Sequence, residues 1–336
     1  MDVEIAPNSV SEATTTGSAL GWAVLLFAVF WAGFYGLSRA LPYLKNGSDV
    51  VFDAKLRWER TGQVFPPDPA ITRVLIFGNS KILAGFLPAS FDQMSSASHL
   101  KVSSFNSGFP GSDLMLPPLK AMCARGQAPN VLLLTLPWEE NPPKRGIFHF
   151  IPDDHAVIDD LFPFRNFLRD LTAFLLNAPS HGGLVSYYRE AEENEHEVID
   201  QRGYHLITEQ SHFPGGRLPN NFHLESDKPM EVIPRIAPSQ SGQIGELNQL
   251  VRQYRMDCYY VPYYLRVGEA APTTEDVHFT ALVEQRTTCK VLGPDYYLYP
   301  NRLFADQTHL NQAGARVYTE ALFQLLKDRL THHALQ

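Results

Sequence analysis

The chain has 336 residues, 44% hydrophobic and 19% charged, which excludes a disordered polymer or a disulfide-stapled miniprotein. Its net charge of -8, with no cluster of Lys or Arg to offset it, argues against a nucleic-acid partner. Cys123, Cys258 and Cys289 allow at most one internal bridge and fit no zinc pattern, so buried free thiols are the expectation.

Residues 1–17 read as an N-terminal tail and 18–41 as a transmembrane helix. No charge occurs between Glu12 and Arg39, and Leu20 to Leu37 is almost wholly apolar or small. With its flanks the run reaches the roughly 20 residues that cross a bilayer. Trp22, Trp31, Tyr35 and Tyr43 sit where interfacial anchors belong. A cleaved signal would carry a basic lead and a shorter apolar run. Asp2, Glu4 and Glu12 precede the span, whereas Arg39, Lys45, Lys55, Arg57 and Arg60 follow it. Charge bias therefore places the following domain in the cytoplasm.

Residues 42–70, with Trp58, Pro66, Pro67 and Pro69, read as a membrane-proximal linker. A catalytic domain is expected over 71–333. Arg73–Phe77 is a buried strand running into the turn Gly78-Asn79-Ser80. A helix begins near Ile82 and is interrupted by Pro88. Lys101–Phe105 is a second strand, and Leu114–Arg125 a helix with Pro117 and Pro118 in its first turn. Val131–Leu136 is a third strand. Such apolar strands alternating with helices mean an α/β protein with a parallel sheet covered on both faces.

Residues 138–240 read as an insertion capping the active-site face. Ala156–Leu176 is helical in pattern, and Asn177–Ser239 shows no strong strand signal. Beyond it, Ser241–Met256 is a helix, Cys258–Val261 a fourth strand, Thr273–Arg286 a helix and Cys289–Leu292 a fifth strand. Gln312–Leu330 closes the chain as a helix.

The chemistry-bearing stretch is Phe304 to Gly314. Asp306 and His309 stand three residues apart, a spacing that puts both on one side of a turn. The carboxylate can fix the imidazole tautomer and leave its second nitrogen as a base. Ser80 lies where a strand runs into a helix, at the edge where doubly wound sheets hold ligands. Its own N–H and that of Gly111 can hold an oxyanion. Lys81 faces solvent or draws an anionic sugar. Asp153, Asp154 and His155 have metal-ligand types but no spaced partner, so no metal is expected. His212, Arg217 and His223 belong to a solvated loop or a glycan groove. Tyr259, Tyr260, Tyr263, Tyr264, Tyr296 and Tyr297 either pack or stack on sugars.

Ile76-Phe77-Gly78-Asn79-Ser80 resembles the first block of SGNH/GDSL hydrolases, with Asn79 in place of the usual Asp. Asn106 to Asp113 is similar to the second block, whose glycine maps to Gly111. Asp306-Gln307-Thr308-His309, followed by Leu-Asn-x-x-Gly, is similar to the fifth. The third block departs: Glu139 stands about where the oxyanion-donating Asn belongs, so either Asn141 serves or the hole uses Ser80 and Gly111 alone. The departure resembles membrane-anchored proteins of cell-envelope acylation, of the alginate and cellulose O-acetyltransferase and teichoic-acid D-alanyl transfer types.

The resemblance implies a three-layer, flavodoxin-like sheet and a Ser80-His309-Asp306 triad, with Gly111, Asn79 and Asn141 as oxyanion or substrate-binding candidates and no cofactor. It implies acyl, most simply acetyl, transfer through an acyl-serine to an exported polysaccharide, beside a multi-pass membrane-bound O-acyltransferase. It also implies a domain on the outer side of a bacterial plasma membrane, against the flanking charges. A membrane-anchored esterase or lipase and a non-catalytic scaffold are the alternatives.

Overall fold

A computed structural model describes residues 12–45, 47–110, 116–135, 162, 164, 166–206, 213–224, 242–267 and 283–334. They fall into two compact units. One holds the described residues within Met1–Asn46 and Arg145–Ala191, the other those within Gly47–Lys144 and Glu192–Gln336.

In the first unit, α1 spans Glu12–Ala40. Its stretch Ala19–Ala40, 22 residues with none buried, is long and apolar enough to cross a membrane. Helix α6 (Phe167–Asn177) turns Phe167, Asp170 and Phe174 inward. Phe34 of α1 meets Phe164 and Phe167, with ring centroids 5.9 and 6.0 Å apart.

The second unit is built on a five-stranded parallel sheet. Its strands are β1 (Thr72–Gly78), β2 (Val102–Gly108), β3 (Val131–Thr135), β4 (Asp257–Val261) and β6 (Lys290–Val291). They lie in the order β2-β1-β3-β4-β6. Alternation along the strands feeds two cores. Leu75, Phe77, Leu132 and Leu134 enter one, against α2 (Gly47–Thr61), α5 (Leu116–Ala124) and α8 (Gly242–Gln253). Val74, Ile76, Val131 and Leu133 enter the other, against α3 (Ser80–Gly85), α4 (Pro88–Ala97) and α9 (Gln312–Ala334). Both faces are thus apolar, as continuous rather than alternating hydrophobic strands require. Pro262 has no N–H for the ladder and ends β4. Parallel pairing resumes in a two-stranded sheet of β5 (Tyr263–Arg266) and β7 (Tyr296–Tyr299).

Four expectations need correction. Residues 47–61 are not linker but helix α2, with Val50, Val51, Ala54, Lys55, Leu56 and Glu59 buried. Pro88 starts a second helix instead of breaking one, because its missing N–H falls in a first turn. The 138–240 segment is divided between the two units and contains a second helix, α7 (Leu184–Asp200). Only Tyr187, Ala191 and Val198 of α7 are fully buried, too sparse a stripe to stand out in an acidic sequence. Finally, Cys258 and Cys289 form a disulfide, and only Cys123 is a buried free thiol.

The bridge joins β4 to the residue just before its neighbour β6, across a sequence separation of 31. Closing a loop of that length stabilises the fold by about 3–4 kcal/mol. Cys258→Ala/Cys289→Ala is expected to lower Tm by roughly 6–16 °C at about 2–4 °C per kcal/mol, measured by scanning calorimetry. Reductant should lower the wild type equally and leave the double variant unchanged.

Candidate active site

Ser80 is mounted by three neighbouring constraints. Gly78 and Gly108 end β1 and β2 in register. A Cβ on Gly78 would lie 2.4 Å from Ile82 Cγ1, and one on Gly108 would lie 2.3 Å from the Leu83 backbone nitrogen. Helix α3 can therefore press directly onto the strand ends. Asn79 caps that helix: its side-chain oxygen accepts from the Lys81 N–H at 3.0 Å. Asn79 thus holds the loop, and the cap engages the oxygen that an oxyanion would in any case repel. Ser80 follows as the first helical residue, whose N–H the helix itself cannot pair.

The third constraint, Asn106, has no role assigned from sequence. It is fully buried inside β2. Its amide nitrogen donates to Ile82 O at 2.7 Å, Phe86 O at 2.8 Å and Leu83 O at 3.2 Å, while its oxygen accepts from Gly108 N at 2.8 Å. The signal was present as the one amide in a strand of small and apolar residues that ends in Gly. Gly108→Ala is expected to push α3 off the strand and lower kcat at least tenfold while KM changes less, with a stability loss of about 1–3 kcal/mol. Steady-state kinetics and a thermal melt check both.

Asp306 and His309 sit in a tight loop, not a helical turn. Phe304 and Leu310 bridge its base antiparallel, and Ala305 N donates to His309 O at 2.8 Å. The residues after the loop explain their own identities. Asn311 caps α9, accepting from Gly314 N at 3.0 Å, and its amide nitrogen donates to Arg302 O at 2.9 Å. A Cβ on Gly314 would stand 2.1 Å from Leu303 O, so the helix can enter only at a glycine.

The three side chains meet. His309 Nε2 is 2.9 Å from Ser80 Oγ, and Nδ1 is 2.8 Å from Asp306 Oδ2. Asp306 Oδ1 accepts the Thr308 and His309 backbone N–H groups, each at 2.7 Å. Burial pushes the Asp306 pKa up, but the hydrogen bond and charge of His309 and the two N–H donors outweigh it, and the group is held below the ordinary 3.8. The carboxylate is thus ionised and can only accept, so Nδ1 carries the imidazole hydrogen. Nε2 is left to take the Ser80 proton. The His309 side chain keeps 19% of its surface exposed, and Ser80 is half-buried. This arrangement can generate a serine alkoxide and stabilise the imidazolium that results.

The surroundings are aromatic. Lys81 neither points freely to solvent nor stands as an open anion site: Nζ lies 5.8 and 5.7 Å from the Tyr263 and Tyr264 ring centroids, and 3.4 Å from Tyr264 O. Tyr264 Oη donates to Lys81 O at 2.7 Å. Tyr259, Tyr260, Tyr263, Tyr264 and Tyr296 are buried and serve packing, so none of them is a sugar platform. Arg217 and His223 are exposed on the segment 213–224, which Leu218 ties to Phe304 O at 2.9 Å. Gly111, Asn141, the segment 136–141, Asp153, Asp154, His155 and His212 lie outside the described residues. Among the described residues, no three His, Cys, Asp or Glu side chains gather as a metal site needs.

Comparison with known proteins gives no match, whether to a family model, a curated protein or a solved structure.

Proposed function

We propose that this chain is a membrane-anchored serine O-acyltransferase of the SGNH/GDSL type, moving an acyl group, most simply acetyl, onto an exported polysaccharide. The observation that carries the reading is the hydrogen-bonded chain Ser80–His309–Asp306 at the carboxyl edge of the parallel sheet. The strand order supports it further. With β5 set aside in the small sheet, β2-β1-β3-β4-β6 has the doubly wound order of flavodoxin-like folds, whose ligand sites lie at the β1/β3 switch point. Ser80 follows β1 there.

In the mechanism, Ser80 Oγ attacks the donor carbonyl as His309 Nε2 takes its proton. The Ser80 N–H faces the developing oxyanion, with Gly111 as the further donor named by the resemblance. His309 returns the proton to the leaving group, and an acyl-serine remains. A sugar hydroxyl then gives its proton to His309 and attacks the ester, and Ser80 leaves with that proton restored. The enzyme needs no cofactor for these steps. A multi-pass membrane-bound acyltransferase that supplies the acyl group is the partner that fits.

The Cys258–Cys289 bridge favours placement outside the cytoplasm, because disulfides persist in oxidising compartments. It opposes the charge bias around α1, a bias that large folded domains override. The reading therefore puts α1 in a bacterial plasma membrane with the sheet domain outside.

A fluorophosphonate probe should label the wild type and not Ser80→Ala, and labelled acetyl should pass from donor to polysaccharide only with Ser80 present. Ester release without transfer would make the protein an esterase. Absence of labelling in folded protein would leave a scaffold.

A further inference from the structure

We propose that α6 and the start of α7 form a second membrane contact, an interfacial element that lies on the same bilayer α1 crosses. The inference rests on the reading of α1 as a membrane anchor. It concerns the first unit alone.

The exposed side of this element is rich in aliphatic side chains, with Thr172 among them. Leu168, Leu175 and Leu176 are 66%, 50% and 76% exposed, and Leu184 and Val185, just beyond, are 51% and 68% exposed. On α6 the spacing of seven and eight residues from Leu168 puts the three leucines on one face. The opposite face carries Phe167, Asp170 and Phe174 into the core. An ordinary surface helix would turn charge outward here. Leucine in this position needs something apolar above it.

What covers it follows from the depth at which α6 is held. Phe34 packs on Phe164 and Phe167, and Tyr43 packs on Tyr188 of α7 at 5.3 Å. Leu44 completes the same cluster. Phe34 lies six positions before Ala40, the end of the apolar stretch, which is about 9 Å along a helix. Interfacial helices bury their apolar face about 5–10 Å into the headgroup boundary. Phe34 thus holds the first turn of α6 at the level where such helices work. Tyr188 packs on both Phe174 and Tyr43, the latter three positions beyond Ala40, and so brings the rest of the element to the headgroup boundary. Arg169, on the rim of the exposed face, pairs with Asp170 at 2.7 Å yet keeps 66% of its side chain exposed, as a residue at a lipid boundary can. The chemistry of the face also separates lipid from protein. Protein hot spots are rich in Trp, Tyr and Arg, with Leu and Val under-represented. Here the exposed apolar side chains are Leu and Val.

The test places an NBD fluorophore on single cysteines, Leu176→Cys and Val185→Cys, in the full chain reconstituted in phosphatidylcholine nanodiscs with or without brominated acyl chains. Phe27→Cys on α1 and Arg252→Cys on the second unit are controls. The native thiols do not compete: Cys258 and Cys289 are bridged, and burial pushes the Cys123 thiol up to about 11. Brominated lipid should lower the emission at Leu176 and Val185 clearly above the Arg252 control, as for probes at the headgroup boundary, and lower it more at Phe27. Quenching at Phe27 with none at Leu176 and Val185 would overturn this inference and leave the anchor standing. No quenching at Phe27 would overturn the anchor itself. Photo-crosslinking from p-benzoylphenylalanine at position 176 in cells should capture lipid, and capture of a protein would replace the bilayer with a partner.

Discussion

Ser80→Ala is expected to lower kcat for acyl transfer by about a thousandfold or more, to abolish fluorophosphonate labelling and to leave Tm nearly unchanged. Oγ is the atom His309 Nε2 faces, and nothing else in the described structure bonds to it. His309→Ala should cost about as much, and the double variant no more, because groups that act as a unit lose their effect together. Asp306→Asn is the sharper variant. It keeps the volume, yet its amide can donate to Nδ1 and favour the wrong tautomer, at a cost of about 10³–10⁴ in kcat. A further readout is acid stability. The folded pKa of Asp306 lies below the ordinary 3.8, so its stabilising contribution is complete above that value and is lost as pH falls through the folded one. The Tm difference between wild type and Asp306→Asn should therefore shrink below about pH 4. A Ser80→Ala protein with full transfer activity would end the serine mechanism.

Lys55→Ala should be the most damaging change far from the serine. Lys55 and Glu59 lie one turn apart on α2, and both are fully buried. Lys55 Nζ donates to Gly203 O at 2.7 Å, and Glu59 Oε1 is hydrogen-bonded to Ser107 Oγ. Burial pushes the lysine down and the carboxyl up, each partly opposed by the other's charge. Glu59 Oε2 has no bond among the described residues, so the carboxyl depends on its neighbours for compensation. Removing the lysine strands that carboxyl and the Gly203 carbonyl together, which costs about 3–5 kcal/mol. At about 2–4 °C per kcal/mol the melting point should fall roughly 6–20 °C. Lys55→Met combined with Glu59→Leu should recover most of the loss, since an apolar replacement leaves no buried charge behind. A drop of under about 2 °C in the single variant would mean the pair bears no such weight.

This pair also shows where the sequence was hard to read. The sheet strands were legible because Val74–Phe77 and Val131–Leu134 are apolar at every position, which only a strand covered on both faces needs. Helix α2 was not, because Lys55 and Glu59 occupy core positions that a hydrophobic pattern leaves blank. The bridge between Cys258 and Cys289 depends on β4 and β6 being neighbours, a tertiary fact that 31 intervening residues do not reveal. In the site, Ser80, Asp306 and His309 were legible because turn chemistry and residue type coincide in short stretches. Asn106 was not, since its partners Ile82, Leu83 and Phe86 belong to another element. Gly111 and Asn141 lie outside the described residues.

Ser80 and His309 are separated by 229 positions. A polypeptide emerges from the ribosome N-terminus first, and its early portions begin to fold while later ones are still being made. The hydroxyl is therefore born long before the imidazole that would activate it. On the acyltransferase reading, a stalled or truncated nascent chain would carry an inert alcohol, with reactivity arising only when the distant loop docks. On that reading, chain order alone would keep half-made copies from attacking esters around them.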